Sequence, residues 1–177
     1  LEKNLIPMQE SVTKFFLEAP GGLVKVEAEC SHNKIQAIKI ENLPSYVHKF
    51  GETIEVEEFG SVIVSTVFGG DSFVICNASD FNLPIHPSFA KDFVRTSSKI
   101  LKAANEQLGF FHPRLKKLNF ISFCQFVEPV ILNDRGIKEA KNTVCIRPGK
   151  LDRSPCGTGS SARLALMRAK QEIDINE

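Results

Sequence analysis

From Ser11 to about Cys76 the chain changes character at almost every residue. Within 23–29 (Leu-Val-Lys-Val-Glu-Ala-Glu) apolar and charged side chains take turns, the period of two expected of a strand with one face against a core. Strands are predicted over 12–19, 23–29, 34–40, 53–57, 61–68 and 73–76. Pro20-Gly21-Gly22 reads as a hairpin turn, and Gly69-Gly70-Asp71 as a turn before a strand rather than a substrate loop. The period then lengthens. Pro87-Ser88 opens a long helix whose apolar face takes in Phe89, Phe93, Ile100, Leu101, Ala104 and Leu108, and Gly109 is placed to stop it. Two strands follow, over 118–127 and 143–146, and a final helix runs through 162–170. Leu164, Ala165, Leu166, Met167 and Ala169 leave that helix apolar on most sides. The class is α+β, with a mostly antiparallel sheet and two principal helices.

Composition narrows the possibilities. A chain of 177 residues with 42% hydrophobic content fills one core, and residues 1–177 are read as a single domain. The formal charge of +1 is spread over mixed acids and bases, with no basic stripe, so nucleic acid is not an expected partner. No apolar run is long enough to span a bilayer, and no membrane association is expected. Cys30, Cys76, Cys124 and Cys145 stand apart in apolar or β-rich runs and read as core thiols. An odd count of five, without metal spacing, points to a reducing, cytoplasmic setting and to no metal site. His32, His48, His86 and His112 are equally scattered.

Cys156 differs. It follows a proline-braked turn, Asp152-Arg153-Ser154-Pro155, and precedes Gly157-Thr158-Gly159 at the start of the last helix. The open N–H groups of a first helical turn attract an anion and favour thiolate over thiol, so a pKa below the free value of about 8.5 is expected. Gly157-Thr158-Gly159-Ser160-Ser161-Ala162 formally matches a dinucleotide fingerprint, but it lies far from any early βαβ unit and lacks the following ribose-binding acid. Neither Ser154 nor Ser160 has the flanks of a serine nucleophile elbow, and no phosphate-binding Gly-x-x-x-x-Gly-Lys occurs.

Residues 152–159, with Ser161-Ala162-Arg163, resemble the second-cysteine signature of the proline racemase and hydroxyproline epimerase family. Weaker agreement lies in Glu18-Ala19-Pro20-Gly21-Gly22-Leu23-Val24, Leu43-Pro44-Ser45-Tyr46, Phe68-Gly69-Gly70 and His112-Pro113. The resemblance implies a diaminopimelate epimerase-like half, a curled and barrel-like sheet around a central hydrophobic helix, with one long outer helix. It also implies a cofactor-free, two-base inversion of the α-carbon of proline or hydroxyproline, and a homodimeric whole protein. Cys156 would be one proton carrier, Asp152 would hold the cationic ring nitrogen, Gly157 and Thr158 would offer N–H groups to the carboxylate, and Ile146 would face the substrate ring.

The sequence departs from that pattern in one large respect. The family's first catalytic cysteine lies in a Met-Cys-Gly-His-like motif, and nothing here resembles it. The chain is therefore expected to be the middle of a longer enzyme, incomplete at both ends, inactive alone, and prone to self-association along an open sheet edge. A serine in the missing first position would imply a 3-hydroxyproline dehydratase. A non-catalytic binding module that keeps the fold is the other alternative.

Overall fold

The computed structural model describes residues 1–175. They form two compact units, Leu1–Pro44 and Ser45–Glu177.

The first unit is an antiparallel meander of β1 (Ser11–Ala19), β2 (Gly22–Ser31) and β3 (Lys34–Glu41). Ala19 pairs with Gly22, so Pro20 and Gly21 make a two-residue loop, as the sequence indicates. The second loop, His32-Asn33, places both residues at positive φ (53° and 58°), the backbone that suits the right-handed twist of a hairpin. Alternation then sorts the faces. Lys14, Glu27, Lys25 and Glu41 form a cross-strand charge ladder on one side (Lys14–Glu27 3.2 Å, Lys25–Glu41 3.1 Å). Val26, Ala28 and Cys30 are buried on the other.

The second unit is built on a six-stranded sheet in the order β11-β10-β7-β6-β5-β4. Its strands are β4 (Tyr46–Val56), β5 (Gly60–Phe68), β6 (Ser72–Asn77), β7 (Phe123–Val127), β10 (Asn142–Ile146) and β11 (Lys150–Leu151). A separate two-stranded hairpin joins β8 (Ile131–Leu132) to β9 (Lys138–Glu139). All pairs in the large sheet are antiparallel except β6 with β7. That parallel joint requires a crossover, which carries α1 (Ala90–Gln107), entered through a 3₁₀ turn at Pro87–Phe89. Phe93, Ile100 and Ala104 are buried along α1 as the spacing predicts, with Thr96, Ser97 and Ala103 beside them. Gly109 ends the helix at φ 63°, its N–H bonded to the Ala104 carbonyl.

Three differences from the predicted strands have local causes. β4 starts earlier than expected, at Tyr46, and its register against β5 shifts between Val47 and Glu52, near Gly51 (φ 65°). Such bulges break the alternation on which the prediction rests. The strand predicted over 118–127 is ordered as a strand only from Phe123, because the Asn105 amide takes both the Ile121 N–H (2.8 Å) and its carbonyl (3.1 Å). The two-residue strands β8, β9 and β11 are too short for any period to show.

The alternation along β5, β6, β7 and β10 gives the sheet two apolar faces. One packs against α1 through Phe93, Phe126 and Phe81, with ring centroids 4.8 Å apart for Phe93–Phe126 and 5.7 Å for Phe81–Phe126. The other packs against α2 (Gly157–Ala169) through Val67, Phe73, Ile75, Val127 and Val144. Gly159, Ala162, Arg163, Leu166 and Met167 are the buried stripe of α2, whereas Leu164 is half exposed.

Candidate active site

Cys156 is the residue that turns the chain into α2. Its backbone has φ 62° and ψ 96°, a conformation that L-residues rarely adopt. The strain is held by neighbours on both sides. Upstream, the Cys156 N–H donates to Ser154 Oγ at 3.0 Å. Ser154 in turn donates its N–H and its hydroxyl to Asp152 Oδ1, both at 2.9 Å. Downstream, Ser160 N–H bonds the Cys156 carbonyl at 2.7 Å, and Ser160 Oγ bonds the Pro155 carbonyl at 3.0 Å. Asp152 itself is pinned to the sheet by its N–H on the Val144 carbonyl (2.9 Å). Carboxylate and thiol therefore sit on one short, internally bonded segment.

The thiol is buried, at 7% exposure, within the apolar cluster on the α2 side of the sheet. Ile146, the last residue of β10, is partly buried against the same cluster. Gly157 is exposed at the first position of α2, and Thr158 Oγ1 lies 3.8 Å from Cys156 Sγ. Because Ser160 is the residue that bonds back to Cys156, the N–H groups of Gly157 and Thr158 stay at the open end of the helix ladder. Of the five positions singled out in the sequence, Asp152, Cys156, Gly157 and Thr158 thus lie together at the start of α2, and Ile146, at the end of β10, packs against the cluster that holds Cys156.

The expected charge state of Cys156 needs correcting. Burial pushes its thiol up rather than down, and the negative charge of Asp152 adds to that. The Gly159 amide and the Thr158 hydroxyl pull the other way and are outweighed. A helix start favours an anion, but here the sulfur has been taken out of water, and desolvation is the larger effect. Asp152 is held below the usual carboxylate range chiefly by the Ser154 N–H; burial opposes this, and the Ser154 hydroxyl and the thiol add lesser pulls in the same direction as the N–H.

Two glycines fix where the helix lies. A Cβ on Gly159 would stand 3.0 Å from both Cys156 Sγ and Val144 Cγ2. A Cβ on Gly69 would fall 2.2 Å from the Thr158 carbonyl oxygen and 2.4 Å from the Ala162 nitrogen. Gly69 is thus more than a turn residue: its bare backbone lies against the first turn of α2. The preceding Phe68 is packed by His112, whose ring centroid is 4.6 Å away. His112 Nδ1 accepts from the N–H groups of Arg114 and Leu115, and burial, then Arg114, hold this histidine toward its neutral form. Farther along α2, Arg163 is buried and donates to the carbonyls of Lys141 and Glu128, both at 2.5 Å, tying the helix to the ends of β7 and β10. The sequence names Gly69, His112 and Arg163 in its motifs without revealing these roles, since each acts on a segment distant in the chain.

None of the other cysteines joins the cluster around Cys156. Cys124 and Cys145 are directly paired across β7 and β10, and Cys145 donates to the Phe93 carbonyl on the α1 side. Burial raises Cys145 to about 11 and Cys124 well above its ordinary value, with Cys76 adding to the latter. Among the described residues no group of three or more His, Cys, Asp or Glu is arranged to hold a metal ion. No helix among them is long and apolar enough to cross a membrane.

A thiol, a fixed carboxylate and an open helix start thus share one short segment, on a fold found among racemase- and epimerase-type isomerases. The proline racemase family model matches residues 1–177, and the chain belongs to that family. Among solved structures it is similar to a probable proline racemase from Agrobacterium radiobacter with bound carbonate, at 25% identity and TM-score 0.88. It is also similar to a hydroxyproline epimerase from Agrobacterium vitis with bound trans-4-hydroxy-L-proline, at 28% identity and TM-score 0.88. All of this chain is covered in both comparisons, but only 51% and 50% of those proteins, so it spans about half their length. A methylitaconate-delta-isomerase at 15% identity and TM-score 0.50 shares the fold alone (99% of this chain, 57% of that one).

Proposed function

We propose that this chain supplies one side of the active site of an amino-acid racemase or epimerase acting on proline or a hydroxyproline. The observation that carries the reading is the bonded segment Asp152–Ser154–Cys156, which sets a carboxylate and a thiol at one helix start. Asp152, ionised through the neutral range, pairs with the cationic ring nitrogen of the substrate. The Gly157 and Thr158 N–H groups meet its carboxylate and the charge that builds there as the α-proton leaves. Ile146 lies against the ring.

The reaction needs two proton carriers on opposite faces of the α-carbon. One takes the α-proton while the C–H electron pair passes into the carboxylate as an enediolate; the other returns a proton from the far side. Cys156, held toward the thiol by burial, enters as the proton donor at neutral pH and leaves as thiolate. The opposing base is proposed to lie outside these 177 residues, because none of the other four cysteines packs at Cys156. Alone, the chain is proposed to be inactive. Its free thiols suit a reducing, cytoplasmic compartment.

The test is competitive alkylation of the full-length protein. Iodoacetamide should modify Cys156 ahead of the other cysteines, and pyrrole-2-carboxylate, a planar mimic of the deprotonated substrate, should protect it. Equal labelling of all cysteines, with no protection, would point to a binding module instead. Water loss from trans-3-hydroxy-L-proline, in place of inversion, would make it a dehydratase.

A further inference from the structure

We propose that Ser154 is a positioning residue for this site, the one side chain that ties the carboxylate of Asp152 to the backbone of Cys156. The inference rests on the roles just given to those two residues. The Ser154 hydroxyl has one hydrogen, and Asp152 Oδ1 accepts it at 2.9 Å. Its lone pair accepts the Cys156 N–H at 3.0 Å. The Ser154 N–H adds a second donor to the same Oδ1 at 2.9 Å. One residue therefore holds one carboxylate oxygen in place, and at the same time bonds the backbone N–H of Cys156, whose φ is 62°.

Burial does not compel these bonds. Ser154 is exposed, and water would satisfy its hydroxyl equally well. What the geometry adds is a directed chain, N–H to hydroxyl to carboxylate, in which each bond polarises the next. Pro155, between the two bonded residues, has its carbonyl held by Ser160 Oγ, so the segment has little freedom left. Removing the hydroxyl leaves Asp152 Oδ1 with the Ser154 N–H alone and takes away the side-chain acceptor of the Cys156 N–H. Both residues are then held less firmly, which catalysis by pre-set geometry does not tolerate.

The full-length protein is compared with its Ser154→Ala and Ser154→Thr variants by two measurements. The first needs no substrate: the rate of Cys156 alkylation by iodoacetamide at about pH 8, read by peptide mass spectrometry. Ser154→Ala should react at least about threefold faster, because the thiol is no longer held down in its cluster, and Ser154→Thr should match the parent. The second is inversion of trans-4-hydroxy-L-proline across pH. Ser154→Ala should lower kcat by about tenfold and move the acid limb of kcat/KM to higher pH, since Asp152 has lost a donor, and threonine should restore both. An alkylation rate in the alanine variant within about twofold of the parent overturns the proposal. So does a threonine variant as disturbed as the alanine one. A parent protein that inverts no proline-like amino acid, but whose Cys156 still responds to Ser154 as expected, sinks the functional reading and supports the positioning role.

Discussion

The two faces of the large sheet hold the same chemical group in opposite circumstances. On the α1 side, Cys124 and Cys145 face each other across neighbouring strands and are sealed under Phe93 and Phe126. On the α2 side, Cys156 is also buried, but it stands on a strained turn beside a carboxylate and an open helix start. All three thiols are raised by desolvation. Only Cys156 has groups that oppose that effect through both a backbone amide and a hydroxyl, together with an ionised neighbour whose charge a substrate cation would cancel. Burial alone makes a thiol inert; in the proposed reaction, adjustable neighbours let a buried thiol carry a proton.

The sharpest way to break the comparison is to remove the thiols one at a time. In the full-length protein Cys156→Ala should reduce inversion by about 10³-fold or more, while Cys145→Ala should keep kcat within about threefold. A chiral assay of both variants decides it, and equal losses would erase the distinction between the faces. Next in size is Gly69→Ala. The added methyl would meet backbone atoms of α2 rather than yielding side chains, and should destabilise the second unit by about 3 kcal/mol. Urea denaturation measures this directly, and a loss under about 1 kcal/mol would mean that the helix slides freely.

The α1 face predicts an alkaline weakness. Cys145 is raised to about 11 when folded, so the folded state keeps its proton where the unfolded chain gives it up. That contribution is complete below the unfolded thiol pKa and is lost as pH rises through the folded one. The Cys145 share of stability should fall by about 2 kcal/mol between roughly pH 8.5 and 11, and Cys145→Val should make that limb shallower, leaving the share of Cys124. Denaturation midpoints at the two pH values provide the check. The smallest effect expected is electrostatic. Asp152→Asn removes a charge that holds the Cys156 proton on, so alkylation of Cys156 near pH 8 should rise by about threefold, with Cys145 unchanged. A slower Cys156 in that variant would reverse the assigned sign.

Much of this molecule is written locally and was read locally. The hairpins of the first unit follow from alternation and from Pro20-Gly21, and α1 from its apolar spacing and Gly109. The grouping of Asp152, Cys156, Gly157 and Thr158 is legible because they adjoin in sequence. Ile146 required the β10–β11 hairpin to bring it back, and the resemblance to relatives rather than periodicity pointed to it. What escaped was set by distant contacts. Gly69 looks like any turn glycine until α2 is laid on it. Arg163 looks like a surface cation on a helix, yet its guanidinium is spent on two carbonyls of a neighbouring edge. The thiol's charge state differs from the sequence expectation because a helix start is visible in sequence, whereas the depth of the sulfur is not.

The parallel joint between β6 and β7 has a kinetic consequence. β4, β5 and β6 form one local meander, whereas β7, β10 and β11 lie beyond the whole crossover, residues 78–122. Closing that long loop costs entropy before any contact repays it, so the two strand groups are expected to form separately and dock late. The wall around Cys156 takes Val67, Phe73 and Ile75 from the first group and Val127 and Val144 from the second. The thiol therefore gains its dry surroundings in the last step of assembly, and a drop in its alkylation rate would report that docking as it happens.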